Sequence, residues 1–194
     1  MTRRLAQLAA AAALLLIGWG AAAAQDPPAP GDTLAEMTLA PPAGPGQRDD
    51  LGLAGTGPFE LREIEADLLL IEVFSMYCPY CQAEAPEVNR LYERVQGTPG
   101  LRDRLRMIGI GAGNSAFEVG VFGKKYEVPF PLLPDPDYTI HKKLGEVGTP
   151  FFVLARKEPG GGWKVLHTLA GSLNGAERYL EELMTLPGVK EGGP

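Results

Sequence analysis

The sequence predicts an α/β fold, a central mixed β-sheet flanked by helices. Three observations carry that expectation. Residues 68–74 (Leu-Leu-Leu-Ile-Glu-Val-Phe) are almost continuously apolar, as in a parallel strand buried on both faces, and apolar positions at helical spacing follow them. Residues 105–110 repeat the strand character, with a second helical stretch behind them. Residues 151–155 and 164–169 flank the turn Glu158-Pro159-Gly160-Gly161-Gly162, the pattern of a hairpin. The order strand–helix–strand–helix, then hairpin–helix, places helices on both sides of the sheet.

Taken in order, Thr2-Arg3-Arg4 forms a positive head, residues 5–17 an apolar core, and Ala21-Ala22-Ala23-Ala24 a small-residue cleavage region. Residues 1–24 therefore read as a signal peptide, or as an uncleaved membrane anchor over residues 5–24. No cysteine follows the apolar core, which excludes a lipoprotein anchor. The chain is expected in a bacterial periplasm, where disulfides persist. Residues 25–58 are dense in Pro and Gly and read as a linker and N-terminal extension, with a short strand over 34–39 and a long loop over 41–58. Residues 59–186 form the folded domain, and 187–194 a flexible, frayed tail.

Within the domain, residues 82–95 carry Ala85, Val88, Leu91, Tyr92 and Val95 at helical spacing, with Pro86 expected to kink the helix. Residues 116–126 read as a helix with Phe117, Val121 and Phe122 on one face. Residues 130–133 are extended, and 137–144 form a short helix capped by Asp135 or Asp137. A closing helix over 174–184 turns Tyr179, Leu180 and Leu183 inward. With 194 residues and a formal net charge of -6, the chain suits one acidic domain and offers no basic surface for nucleic acid.

The chemistry gathers at Cys78-Pro79-Tyr80-Cys81, the two cysteines of the chain, at a strand-to-helix junction. That spacing is the spacing of a redox dithiol. At a helix N-terminus, free N–H groups and the dipole favour a thiolate, which makes Cys78 the nucleophile. Cys81, one turn on, is the resolving thiol, and the pair closes as a Cys78–Cys81 disulfide. A purely structural disulfide would close too short a loop to stabilise much. A metal pair lacks further ligands, so neither a metal nor another cofactor is expected. His141 and His167 are assigned no role.

Glu72 is the one charge in the buried run, and its pKa should rise with burial. Its alternative is a carboxylate reaching solvent or pairing with Arg104 or Arg106. Glu84 lies three residues past Cys81, nearly on the same helix face. Tyr77 and Tyr80 flank the thiols as either a contact surface or packing.

These residues, with Glu84 and Pro86, residues 126–136, and Gly148-Thr149-Pro150 before a strand, resemble the thioredoxin superfamily. More narrowly, they resemble exported oxidoreductases of the TlpA/ResA type, over about 68–184. The resemblance implies a thioredoxin-like fold with an N-terminal β extension and a helical insertion. It also implies a cis Thr149–Pro150 bond beside the dithiol, proton transfer between Glu72 and Cys81, and an acid at Glu84 that opposes the helix dipole. Thr149, Pro150, Tyr77, Pro79 and Tyr80 would contact substrate. Tyr77 stands where a Trp is more usual, and Pro-Tyr replaces Gly-Pro.

The implied function is periplasmic thiol–disulfide exchange, leaning towards reduction of exported proteins such as apocytochrome c. Its partners would be exported thiol or disulfide proteins and a membrane dithiol electron donor, with membrane contact only if residues 5–24 stay attached. A disulfide-forming oxidase, a peroxiredoxin-like peroxidase and a non-catalytic thioredoxin-like binding module are the alternatives. The peroxidase has Ser75 three residues before Cys78 in its favour, but Ile71 stands where such sites carry proline.

Overall fold

The computed structural model describes residues 25–190 except 43 and 45. The leader or anchor over 1–24 and residues 191–194 lie outside the described residues. Among the described residues, no helix is long and apolar enough to cross a membrane.

Five strands form one mixed sheet in the order β5-β4-β3-β6-β7. They are β3 (Leu68–Phe74), β4 (Leu105–Ala112), β5 (Leu132–Asp135), β6 (Phe151–Lys157) and β7 (Trp163–Ala170). β3, β4 and β5 run parallel, and β6 and β7 complete the sheet antiparallel. The C-terminal ends of β3, β4 and β5 and the start of β6 therefore share one end of the sheet. β1 (Thr38–Leu39) pairs with β2 (Phe59–Glu60) in a separate two-stranded sheet.

Strand alternation divides β3 between two cores. Leu68, Leu70 and Phe74 face a core built with Ala85, Val88, Leu91 and Val95 of α1 (Pro79–Gly97). Val119 and Phe122 of α2 (Ala116–Lys125), and Tyr179 and Leu183 of α4 (Ala176–Thr185), complete it. Leu69, Ile71 and Val73 face the opposite core.

That second core refines the expected picture of a sheet flanked by helices. α1, α2 and α4 all pack on one face, so the other is not covered mainly by helices. It is covered by Leu34, Met37, Leu39, Leu51, Leu53, Phe59, Leu61 and Ile64, together with Ile140 of the short α3 (Thr139–Lys143). Much of the segment read as a linker and N-terminal extension is thus packed against the sheet. Each such buried side chain contributes about 1.5–3 kcal/mol, and a strand buried on both faces needs them. Residues 31–34 also lie along β7. The Gly31 N–H donates to the Val165 carbonyl, Val165 N–H to Asp32 and Leu34 N–H to Trp163, at 2.8–2.9 Å.

Smaller differences have local causes. The predicted 34–39 strand is regular only at Thr38–Leu39, and the 41–58 loop contains a 3-10 turn at Asp49–Leu51. α1 starts at Pro79 and continues through Pro86 to Gly97. β5 begins at Leu132, after Phe130 has turned into the core. α2 is rotated relative to the expectation. Ser115 caps it, with Ser115 and Glu118 bonded reciprocally, and this phase points Val119 and Phe122 inward while Phe117 is 79% exposed. Asp135 caps α3 from outside the helix, accepting from the Ile140 N–H at 3.0 Å and the His141 N–H at 2.8 Å. The first four residues of the expected frayed tail are helical in α5 (Pro187–Lys190), where buried Val189 joins the core.

Candidate active site

β3 ends at Phe74, a three-residue loop turns the chain, and Cys78 becomes the N-cap of α1. Pro79 suits the first helical position, where no N–H is needed and its fixed φ already fits a helix. Both cysteines are free thiols, so this is the dithiol form.

The two sulfurs are electrostatically unlike. Partial burial acts to raise the Cys78 pKa, but it is outweighed by hydrogen bonding with Thr149, with the Cys81 N–H and thiol, and with the Tyr80 N–H. The net shift is downward. Cys78 Sγ also donates to the Thr149 carbonyl at 3.2 Å when protonated. Cys81 is fully buried, and burial above all pushes its thiol up to about 12. At pH 7 iodoacetamide should therefore modify Cys78 and spare Cys81 in the folded, reduced protein. Mass spectrometry after proteolysis would read this, and Cys78 labelling should titrate below the ordinary thiol range.

Glu72 lies in β3 between Gly109 and Phe152, its side chain on the Leu70 and Phe74 face, which is also the face of α1 and Cys81. It is 4% exposed. Burial first, and the charge of Glu84 second, push its pKa up to about 8. Arg104 and Arg106 are engaged elsewhere, Arg104 with Asp67 and Arg106 with the Asp50 and Arg102 carbonyls.

Glu84 is also buried, and its Oε1 accepts from the Leu173 N–H at 2.8 Å. Its charge weighs on Glu72, while the influences that dominate the two thiols come from burial and nearby hydrogen bonds. The Thr149–Pro150 bond, at the start of β6, is cis. Tyr77 and Tyr80 are exposed on either side of Cys78, and Pro79, between Cys78 and Tyr80, is exposed as well.

Three further side chains hold the loop before the dithiol. Asn114, fully buried, accepts from the Met76 N–H at 2.8 Å through Oδ1. Its Nδ2 lies 3.4 Å from Ser75 Oγ. Gln82 Nε2 donates to the Met76 carbonyl at 2.7 Å, and the Tyr77 hydroxyl donates to Glu118. Hydrogen bonds from Ser115 first and Tyr77 second hold the Glu118 carboxyl down to about 2. Sequence reasoning missed all three. Ser115-x-x-Glu118 was visible as a capping box, but nothing in the sequence brings Asn114 to Met76, 38 residues away. Among the described residues, no group of three or more His, Cys, Asp or Glu is arranged to hold a metal ion.

A mixed sheet with a Cys-X-X-Cys at the head of the helix leaving a central strand defines a redoxin of the thiol–disulfide oxidoreductase class, built on a thioredoxin-like fold. The chain belongs to the AhpC/TSA family, whose profile matches residues 31–162. It is 26% identical over 127 residues to the thiol-disulfide oxidoreductase ResA of Halalkalibacterium halodurans, an alignment covering 66% of each chain. Its fold is similar to that of a secreted Mycobacterium tuberculosis disulfide oxidoreductase homologous to E. coli DsbE. The TM-score is 0.54 at 18% identity, covering 77% of this chain and 96% of that one. StoA from Bacillus subtilis gives a TM-score of 0.55 at 16% identity, covering 80% of this chain and 99% of that one.

Proposed function

We propose that the protein is an exported thiol–disulfide oxidoreductase in which Cys78 attacks and Cys81 resolves. The observation that carries this reading is the inequality of the two thiols, one half-buried with a lowered pKa and the other sealed with a raised one. The Cys78 thiolate attacks a substrate disulfide, forming a mixed disulfide and expelling one substrate thiolate. Cys81 then attacks the Cys78 sulfur, closing the Cys78–Cys81 disulfide and releasing the second substrate thiol. Two electrons pass from protein to substrate. Cys81 must lose its proton for that step, and Glu72, raised into the neutral range on the same face of β3, is its acceptor. The Thr149 backbone beside Cys78 lines the approach of an extended substrate chain.

Reduction of exported polypeptide disulfides, apocytochrome c among them, is the favoured direction, with a membrane dithiol protein returning the electrons. The leader-like sequence over 1–24 and the ResA relative support this reading. The test is insulin reduction together with the equilibrium potential against glutathione. Insulin reduction and a potential well below that of strong oxidants are expected. A potential near about -120 mV would reverse the direction to disulfide formation. The AhpC/TSA match keeps a peroxidase as the second reading, and thiol-dependent consumption of hydrogen peroxide at rates exceeding disulfide exchange would establish it instead.

A further inference from the structure

Among the described residues, the exposed large hydrophobic side chains are Tyr77, Tyr80, Phe117, Val121 and Tyr138. All five come from segments that leave the dithiol end of the sheet. Tyr77 and Tyr80 flank Cys78. Phe117 and Val121, four residues apart and therefore on one side of the helix, occupy the first half of α2, which follows β4. Tyr138 follows β5 at the entrance to α3. Scattered exposed apolar residues are ordinary, but a group confined to the surround of one reactive sulfur marks a contact surface.

The surface is built rather than incidental. The Tyr77 hydroxyl is tied to Glu118, the residue after Phe117, so the dithiol loop and α2 present their rings from a shared anchor. Glu118 is in turn fixed by the Ser115 cap. Tyr138 holds a left-handed φ of 57°, uncommon for a bulky residue. Its ring lies over Gly113, where a Cβ would stand 2.2 Å from the Tyr138 hydroxyl oxygen. Gly113 precedes Asn114, which bonds to Met76 in the dithiol loop. The five side chains thus belong to three segments linked to one another at the dithiol end of the sheet.

Resting on the thiol–disulfide exchange proposed above, we infer that this collar docks an extended polypeptide whose reactive cysteine is flanked by large apolar side chains. α2, through Phe117 and Val121, and Tyr138 are its specificity elements. A small disulfide reaches Cys78 without touching Phe117 or Val121, because the reaction needs only the sulfur and the Thr149 backbone beside it. A peptide carrying apolar residues on either side of its cysteine covers rings on both the dithiol loop and α2. The net charge of -6 further disfavours acidic flanks.

The test uses the reduced full chain and two synthetic peptide–glutathione mixed disulfides. One peptide carries Leu and Phe on both sides of its cysteine, and the other Ser and Gln. The protein dithiol reduces each to peptide thiol plus glutathione and closes its own disulfide, and chromatographic separation of acid-quenched peptide thiol from mixed disulfide follows the rate. The apolar peptide should react at least about tenfold faster, the size of one buried apolar side chain. Phe117→Ser and, separately, Val121→Ser should reduce that preference to about threefold or less, while oxidised glutathione reacts within about twofold of wild type. Equal rates for the two peptides, or a preference untouched by both variants, would overturn the docking inference while leaving the exchange reaction standing. Failure to reduce either peptide or oxidised glutathione would instead remove the exchange reading itself.

Discussion

Replacing Cys81 by serine should convert the protein into a trap. Cys78 keeps its exposure and its lowered pKa, because Thr149 and the backbone N–H groups of Tyr80 and residue 81 remain. It still attacks a substrate disulfide and forms the mixed disulfide. Serine cannot expel the partner, so the covalent adduct persists. Its lifetime should lengthen about a hundredfold or more, since an intramolecular attack held one helical turn away is lost. Non-reducing electrophoresis and mass spectrometry of the adducts would measure this and would name substrate and electron donor together. Cys78→Ser should form no adduct at all. Turnover at the wild-type rate by Cys81→Ser would remove the resolving role, and partner binding retained with no disulfide exchange in either protein would favour a binding module.

The second large effect concerns Glu72 and has a definite sign. Its pKa is about 8 in the folded protein and near 4.5 when unfolded. A raised carboxyl pKa means that the folded state binds the extra proton between those values. Stability is therefore fully present below about pH 4.5, falls as pH rises through neutrality, and levels off above about pH 8. A tenfold change in the proton equilibrium is worth about 1.4 kcal/mol, so the loss across that window amounts to a few kcal/mol. Glu72→Gln should flatten that slope, being clearly more stable than wild type at about pH 9 and close to it at about pH 5 in urea unfolding. The same variant should slow release of the mixed disulfide while leaving Cys78 alkylation nearly unchanged. Parallel pH–stability curves for the two proteins would show that Glu72 ionises freely, as an exposed carboxylate does.

The sequence carried the sheet because a strand sealed on both faces must be apolar at successive positions, and residues 68–74 are. The same run exposed Glu72 as an exception, and alternation with Leu70 and Phe74 set its face. What composition concealed was the cover on the second core. Leu34, Met37 and Leu39 lie in one short strand-like stretch, and Leu51 and Leu53 in Pro- and Gly-rich chain without helical or strand period, so their burial depends on a tertiary partner. Phe117 misled for the opposite reason. Three apolar residues near one helical face identify a helix, but its rotation is set by the Ser115 cap and by Gly123 lying against Leu132. Asn114 was invisible because a loop asparagine gains meaning only from the loop it meets.

Residues 31–34 lie along β7, and Trp163 at the head of that strand donates its indole N–H to the Leu61 carbonyl at 3.0 Å. The first residues of an outer strand, Trp163 to Val165, which would otherwise be open to another chain, are thereby occupied by an earlier segment of the same polypeptide. The two lie on opposite sides of the whole sheet-forming sequence, so this closure has to await nearly all of the fold. Until the final hairpin has formed, the early segment has nothing to bind, and folding should proceed slowly, late and all at once rather than from the N-terminus forward.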